Sequence, residues 1–375
     1  MKKNLAALAI PLFFSIGMTA GPVLADGNSN RLFIDRDVDT FAVLPDGVRF
    51  PEGITANPAN GDIYVGTFDG GAPNKLLRYN RHGQLVAQLD FGKEALLGLA
   101  FDPVQNMVYI CNARALVDPS ATPARSKIQR VPAAFNSTTK PEDVADIPLI
   151  GAPADRVEGN PDGSSDTIKF GFGGTRAAPN ALEFDKDGNL FVSDSFQGAI
   201  FEIKKVRTCA KSCVVDKFAQ DPLLATPGFP PFGANGLAFN KDESALFIAN
   251  TGDDRVLKLE MLSGTRKITV FSESLNGADG LVFDDKGLLW VATNQADEVV
   301  ALNANGRVVA KLGEFRGIKR NGTPDGLLFP ASPVIVGDEI FVTNLAIPLG
   351  SSADEPEADV TRWTVSRMKL PHGKD

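Results

Sequence analysis

One pattern recurs along the chain and constrains its fold more than any other feature. An apolar alternating run meets a polar turn holding Asp or Gly, and a second apolar run follows. It occurs as Glu52-Gly-Ile-Thr with Asp62-Ile-Tyr-Val, and as Leu97-Gly-Leu-Ala-Phe-Asp with Met107-Val-Tyr-Ile. It returns as Asn180-Ala-Leu-Glu-Phe-Asp-Lys-Asp-Gly-Asn-Leu-Phe-Val, then as Asn235-Gly-Leu-Ala-Phe-Asn with Ala245-Leu-Phe-Ile. The fifth copy is Asp279-Gly-Leu-Val-Phe-Asp-Asp-Lys-Gly-Leu-Leu-Trp-Val, and a weaker sixth is Ser332-Pro-Val-Ile-Val with Glu339-Ile-Phe-Val. Two short runs around such a turn form a β-hairpin. More strand-like sequence follows, such as Ala199-Ile-Phe-Glu-Ile and Val214-Val-Asp-Lys-Phe.

Four strands every roughly 40–50 residues is the spacing of propeller blades. Six copies predict an all-β chain, a six-bladed β-propeller forming a single domain over residues 26–375. A closed ring must also join its ends, because an open strand edge invites pairing with other chains. The run Val360-Thr-Arg-Trp-Thr-Val-Ser is expected as the third strand of blade six, and Asp39-Thr-Phe-Ala-Val-Leu as its outer strand. The ring is thus closed by an N-terminal strand joining the C-terminal blade.

Residues 1–25 read as a signal peptide rather than as part of the fold. Lys2 and Lys3 precede the apolar run from Leu5 to Met18, and Val23-Leu24-Ala25 supplies a small-residue cleavage site. Pro11, Gly17 and the shortness of the run argue against a membrane anchor. No later run approaches the roughly 20 apolar residues of a membrane span. The expected location is the periplasm or the exterior. That compartment permits disulfides, and Cys209 and Cys213 are spaced to staple a hairpin, whereas Cys111 reads as a buried strand thiol.

Composition narrows the chemistry. The 38 Lys+Arg against 46 Asp+Glu leave a net charge of -8, which disfavours nucleic-acid binding. Two histidines and three cysteines exclude a multi-His metal centre or a Cys-rich zinc module, so a metal site would rest on oxygen ligands.

Up-and-down blades place the start of each innermost strand, the links between blades and the second-to-third-strand loops on one face. The long irregular segments, 113–124, 148–178, 219–234, 313–331 and 345–358, all fall there. Glu52, Asn180, Asn235 and Asp279 start inner strands at that face. Asn and Asp are poor strand formers, so their convergence on one axis points to a cation site. Two carboxylates with two amide oxygens suit Ca²⁺, which takes six to eight oxygen ligands. A second ring, Asn112, Asp194, Asn250, Asn294 and Asn344, is expected to orient the first or to hold loops. Phe229 and Phe232 are candidates for an apolar wall. His82 falls in a turn on the opposite face, and His372 in the C-terminal tail.

These residues carry a resemblance. The runs Ala234-Asn-Gly-Leu-Ala-Phe-Asn, Ala278-Asp-Gly-Leu-Val-Phe-Asp and Phe50-Pro-Glu-Gly-Ile resemble the blade motifs of the senescence marker protein (regucalcin)/gluconolactonase family. The resemblance implies a six-bladed propeller holding a divalent metal, usually Ca²⁺, with Glu52, Asn235 and Asp279 as ligands. It places Asn180 against metal or substrate. The wider paraoxonase-like group is similar in using a Glu, two Asn and an Asp at comparable positions. The family's Arg shortly before that Asn is replaced here by Ala177-Ala178-Pro179, which leaves Arg176 as the nearest candidate substrate contact.

The expected function is metal-dependent hydrolysis of a small-molecule lactone or related ester, in which water attacks a metal-polarised carbonyl and Asp279 accepts the proton. The alternative is a non-catalytic periplasmic ligand-binding or scaffold propeller with a structural Ca²⁺.

Overall fold

The computed structural model describes residues 32–371, apart from 118–124, 171–175, 210, 262–263, 265 and 351–353. The expected signal peptide and His372 lie outside the described residues.

Six four-stranded antiparallel units follow one another in the order the repeats predict. Blade one comprises Pro51–Asn57, Asp62–Thr67, Asn74–Tyr79 and Leu85–Gly92, from the axis outwards. Blade two comprises Leu96–Asp102, Met107–Asn112, Lys127–Pro132 and Glu142–Asp146. Blades three, four and five begin with Pro179–Phe184, Ala234–Phe239 and Ala278–Phe283. Each inner strand packs on the next, and that of blade six, Pro330–Val336, returns to that of blade one. The inner strands are sheet edges, which is why Pro51, Pro179, Pro330 and even Pro333 are tolerated in them.

The ring closes as expected. Asp39–Val43 pairs antiparallel with Thr364–Lys369, the third strand of blade six, as that blade's outermost strand. Phe41 lies against the rings of Tyr79 and Phe341, so the closing strand is buried between blades six and one. The repeat does not announce three further pieces. Phe33–Asp35 adds to the outer strand of blade five, Val308–Leu312, in parallel. Short hairpins form from Arg156–Gly159 with Ser165–Ile168, and from Phe315–Ile318 with Pro324–Gly326. Each is too short to show a hydrophobic alternation of its own.

A separate apolar cluster fills each of the six interfaces between neighbouring blades. A central blade strand is covered on both faces, so its residues are apolar at every position rather than at alternate ones. Leu190–Asp194 and Ala245–Asn250 are accordingly buried throughout. Cys111 sits in one of these clusters, and burial pushes its thiol pKa up. Cys209 and Cys213 form the disulfide, with Cα atoms 5.6 Å apart, between the third and outer strands of blade three. Among the described residues no helix is long and apolar enough to cross a membrane.

The turns at the base of each blade share one end of the ring. A Cβ on Gly61, in the first turn of blade one, would lie 3.1 Å from that of Arg81 in the last turn. His82 is exposed in this last turn. Its neighbour Gly83 has a φ of 75°, and a Cβ there would fall 2.0 Å from the Phe41 carbonyl oxygen on the closing strand. The closing strand therefore holds ends that are distant in sequence. Phe41→Ala is expected to lower stability by about 3 kcal/mol, the usual cost of deleting a buried aromatic ring. Urea denaturation measures it, and an unchanged midpoint would show that this strand does not hold the ring closed.

Candidate functional site

The inner strand of every blade carries the same irregularity. Its pairing with the second strand shifts between Pro51 and Ile54, Leu96 and Leu99, Pro179 and Leu182, Ala234 and Leu237, Ala278 and Leu281, and Pro330 and Pro333. Each shift inserts one extra residue, a β-bulge that re-aims a side chain. The residue just inside each bulge is Glu52, Leu97, Asn180, Asn235, Asp279 or Ala331. The structure brings the four polar ones together around one cavity of about 90 Å³ on the axis, with Leu97 beside them.

The bulges need close backbone approach. A Cβ on Gly53 would lie 2.0 Å from Leu97 O, and one on Gly236 would lie 2.3 Å from Asp279 O. Hydroxyls from second strands complete the ring: Thr343 Oγ1 donates to Glu52 O at 2.6 Å, and Ser193 Oγ donates to Asn235 O at 2.6 Å.

A second tier lies directly behind the first. Asn180 Nδ2 donates to Ser195 Oγ at 3.0 Å, and Asn235 Nδ2 donates to Thr251 Oγ1 at 2.9 Å. Asn294 Nδ2 donates to Asp279 Oδ2 at 3.2 Å. Ser195, Thr251 and Asn294 each follow the last residue of a second strand. The spacing argument groups Asn294 with Asn112, Asp194, Asn250 and Asn344, and the register corrects that grouping. The residues paired opposite the bulge starts are Thr67, Asn112, Asp194, Asn250, Thr293 and Asn344, so Asn294 stands one position further along. The other four hold loops instead. Asn250 Nδ2 donates to Leu223 O and Ala225 O, and Asp194 accepts from the backbone of Ala178, Phe196 and Gln197. No sequence signal marks Ser195 and Thr251, because small hydroxyl residues after a strand are common.

Three acceptors in this cavity have no donor among the described residues: Glu52 Oε2, Asp279 Oδ1 and Asn294 Oδ1. Burial raises the Glu52 carboxyl well above the usual carboxylate range, and the nearby Asp279 carboxylate raises it further. Burial pushes Asp279 up to about 7, against hydrogen bonding from Asn294 and Asn235. Gly277, at φ 67°, makes room for Asn294, whose Oδ1 would lie 1.9 Å from a Cβ there. Orphaned acceptors are costly when buried, and this set of hard oxygens has the chemistry to hold a hard cation. No three of His, Cys, Asp and Glu cluster among the described residues, so any such site depends on amide oxygens as well as the two carboxylates.

The remaining wall is apolar. Phe68, Phe232, Phe329, Leu345, Ile347 and Leu349 line the cavity, and most come from the long segments expected on this face. Phe232 takes the expected place, but Phe229 is 61% exposed and lies outside the wall. Arg176 is half-buried and does not line the cavity.

Fold and cavity together define a six-bladed β-propeller with a polar floor at one end of its axial channel. Residues 175–313, which include Asn180, Asn235 and Asp279, match the family model described as the SMP-30/gluconolactonase/LRE-like region. The resemblance expected from the blade motifs is thereby shown. Among solved structures, regucalcin from Agrobacterium tumefaciens, a calcium-binding protein, is similar at TM-score 0.57 and 15% identity, covering 90% of this chain and 95% of its own. A gluconolactonase from Xanthomonas campestris is similar at TM-score 0.52 and 16% identity, covering 88% of this chain and 89% of its own. A luciferin-regenerating enzyme is similar at TM-score 0.57 and 14% identity, covering 88% and 95%. No curated protein matches.

The carboxyl shifts dictate a pH dependence. Both groups bind protons more tightly folded than unfolded, so without a cation their contribution to stability is fully present below the unfolded range of about 4. It falls as pH rises toward about 7, the folded value of Asp279. Thermal unfolding in chelator is expected to show a midpoint declining from pH 5 to 7, and Asp279→Asn is expected to flatten the slope. A midpoint rising over that range would contradict the assignment.

Proposed function

We propose that this propeller is a hydrolase of a small lactone or related ester that works with a divalent cation, Ca²⁺ in the first instance, held by Glu52, Asn180, Asn235 and Asp279. The carrying observation is the group of oxygens without a donor among the described residues, Glu52 Oε2 and Asp279 Oδ1 foremost, gathered at the polar end of a cavity whose remaining wall is apolar. The family match over blades three to five supports the lactone class.

When bound, the cation supplies Lewis-acid polarisation of the acyl carbonyl. The protein's own groups account for the rest. Glu52 and Asp279 bring two negative charges that offset those of the ion. Ser195 and Thr251 fix the amide groups of Asn180 and Asn235 by taking their N–H bonds. Asn294 donates one N–H to Asp279 Oδ2 and so orients this carboxylate, the group able to take a proton from attacking water. The acyl C–O bond then breaks, the proton passes to the leaving oxygen, and a hydroxy acid results. The apolar wall excludes bulk water and so strengthens each of these interactions.

Export belongs to the same proposal. Residues 1–25 act as a signal peptide, and the Cys209–Cys213 disulfide suits a periplasmic or secreted protein.

A panel of lactones and aryl esters tests the activity. Chelation and Asp279→Asn are each expected to lower kcat/KM at least 100-fold, the scale of losing a proton acceptor or a charge-stabilising group. Circular dichroism checks that the variant remains folded. Activity indifferent to both treatments would remove the mechanism, and tight Ca²⁺ binding without turnover would identify a binding propeller instead.

A further inference from the structure

We infer that the axial chamber takes a compact apolar ring, a small lactone or cyclic ester without hydroxyl substituents, and rejects polyhydroxylated lactones. The inference rests on the chamber being the ligand site proposed above, and deepens it by naming the ligand class.

The hydrogen-bond inventory is the first argument. Among the described residues the lining holds no Lys, Arg, His, Tyr or Trp. Among the described residues its side-chain N–H donors are those of Asn180, Asn235 and Asn294, at the polar end, and one N–H of each already serves Ser195, Thr251 or Asp279. The Thr251 hydroxyl already accepts from Asn235. The free oxygens, Glu52 Oε2, Asp279 Oδ1 and Asn294 Oδ1, lie at the polar end with the proposed cation ligands. Hydroxyls on the part of a ring that lies against Phe68, Phe232, Phe329 and Ile347 would therefore enter without partners, at a loss of about tenfold in affinity for each.

The wall is also built to stay in place. Leu345 N donates to Phe329 O at 3.1 Å, and Trp363 Nε1 donates to Leu345 O at 3.1 Å. Leu349 N donates to the Glu355 carboxylate at 2.8 Å. Phe50, Phe329 and Ala346 hold left-handed backbone, with φ of 54°, 46° and 42°. Non-glycine residues keep that conformation only where the surroundings impose it. All three belong to clusters at this end of the channel, where Phe50 packs with Phe329 and Leu345.

Volume is the third argument. About 90 Å³ is small beside the roughly 300–1,000 Å³ of pockets for drug-sized ligands. That admits one small ring and excludes a long acyl chain lying wholly inside.

Non-hydrolysable lactams test the ligand class apart from catalysis. Binding of δ-valerolactam and of gluconolactam to the full chain is measured by calorimetry, with and without Ca²⁺. With Ca²⁺ present, δ-valerolactam is expected to bind at least tenfold more tightly than gluconolactam. Ile347→Ser, a change at the half-buried edge of the wall, is expected to weaken δ-valerolactam at least threefold. A Ca²⁺ titration of the same variant reports whether the polar end is intact. Equal binding, a preference for gluconolactam or binding of neither would each overturn the inference. Hydrolysis of δ-valerolactone and gluconolactone then separates the two claims. If δ-valerolactam binds as expected but no lactone is turned over, the hydrolase reading fails and the ligand class stands. If gluconolactone is hydrolysed faster, the ligand class fails and the hydrolase reading stands.

Discussion

The close contact between successive inner strands, made at a bulge in each blade, is the constraint on which the rest of the structure depends. Gly53 lies against the backbone of Leu97, Gly98 against that of Asn180, and Gly236 against that of Asp279. A side chain at any of these points would push neighbouring blades apart. The approach in turn sets the channel's width, and the bulge adds the extra residue that turns toward the axis. Ring geometry and site geometry therefore have one origin. A residue inside a bulge is held by pairing on both sides, which suits positions where donor placement matters.

The site places polar atoms where burial makes them costly. Glu52 and Asp279 are 5% and 4% exposed, and burial raises both carboxyl pKa values. Hydroxyls and amides one tier out hold the first tier in position without satisfying all of its oxygens. Ser195 and Thr251 take the amide nitrogens of Asn180 and Asn235, while Glu52 Oε2 and Asp279 Oδ1 keep no donor. A chain that needed only a stable ring could fill these positions as blades two and six do, with Leu97 and Ala331.

Much of the ring was legible because propeller blades repeat locally. Hairpin patterns such as Asn180–Val192 carry their strands and turn within a few residues, and the closing strand at Asp39–Val43 follows from the need to bury an edge. Glu52, Asn180, Asn235 and Asp279 were legible for the same reason: each occupies the same place in its repeat. Asn294 shows the limit. Its residue type matched Asn112 and Asn250, but its register differs by one, and one residue along a strand end decides whether a side chain meets a loop or the axis. Arg176 and Phe229 stand outside the cavity lining for a different reason. Both lie in inter-blade links, whose path follows from packing against neighbours rather than from periodicity.

By itself the sequence determined the number of blades, their order, the join between the ends and the scarcity of histidine that leaves oxygen as the available ligand chemistry. These follow from local periodicity and from inventory, which need no knowledge of distant contacts. Only the tertiary structure decided which groups share a chamber: the tier of Ser195, Thr251 and Asn294, the apolar wall from Phe232, Phe329 and Ile347, and the oxygens left without donors. Those relations join residues from separate blades, from Glu52 to Leu349, and no local pattern encodes the angle at which one blade meets the next.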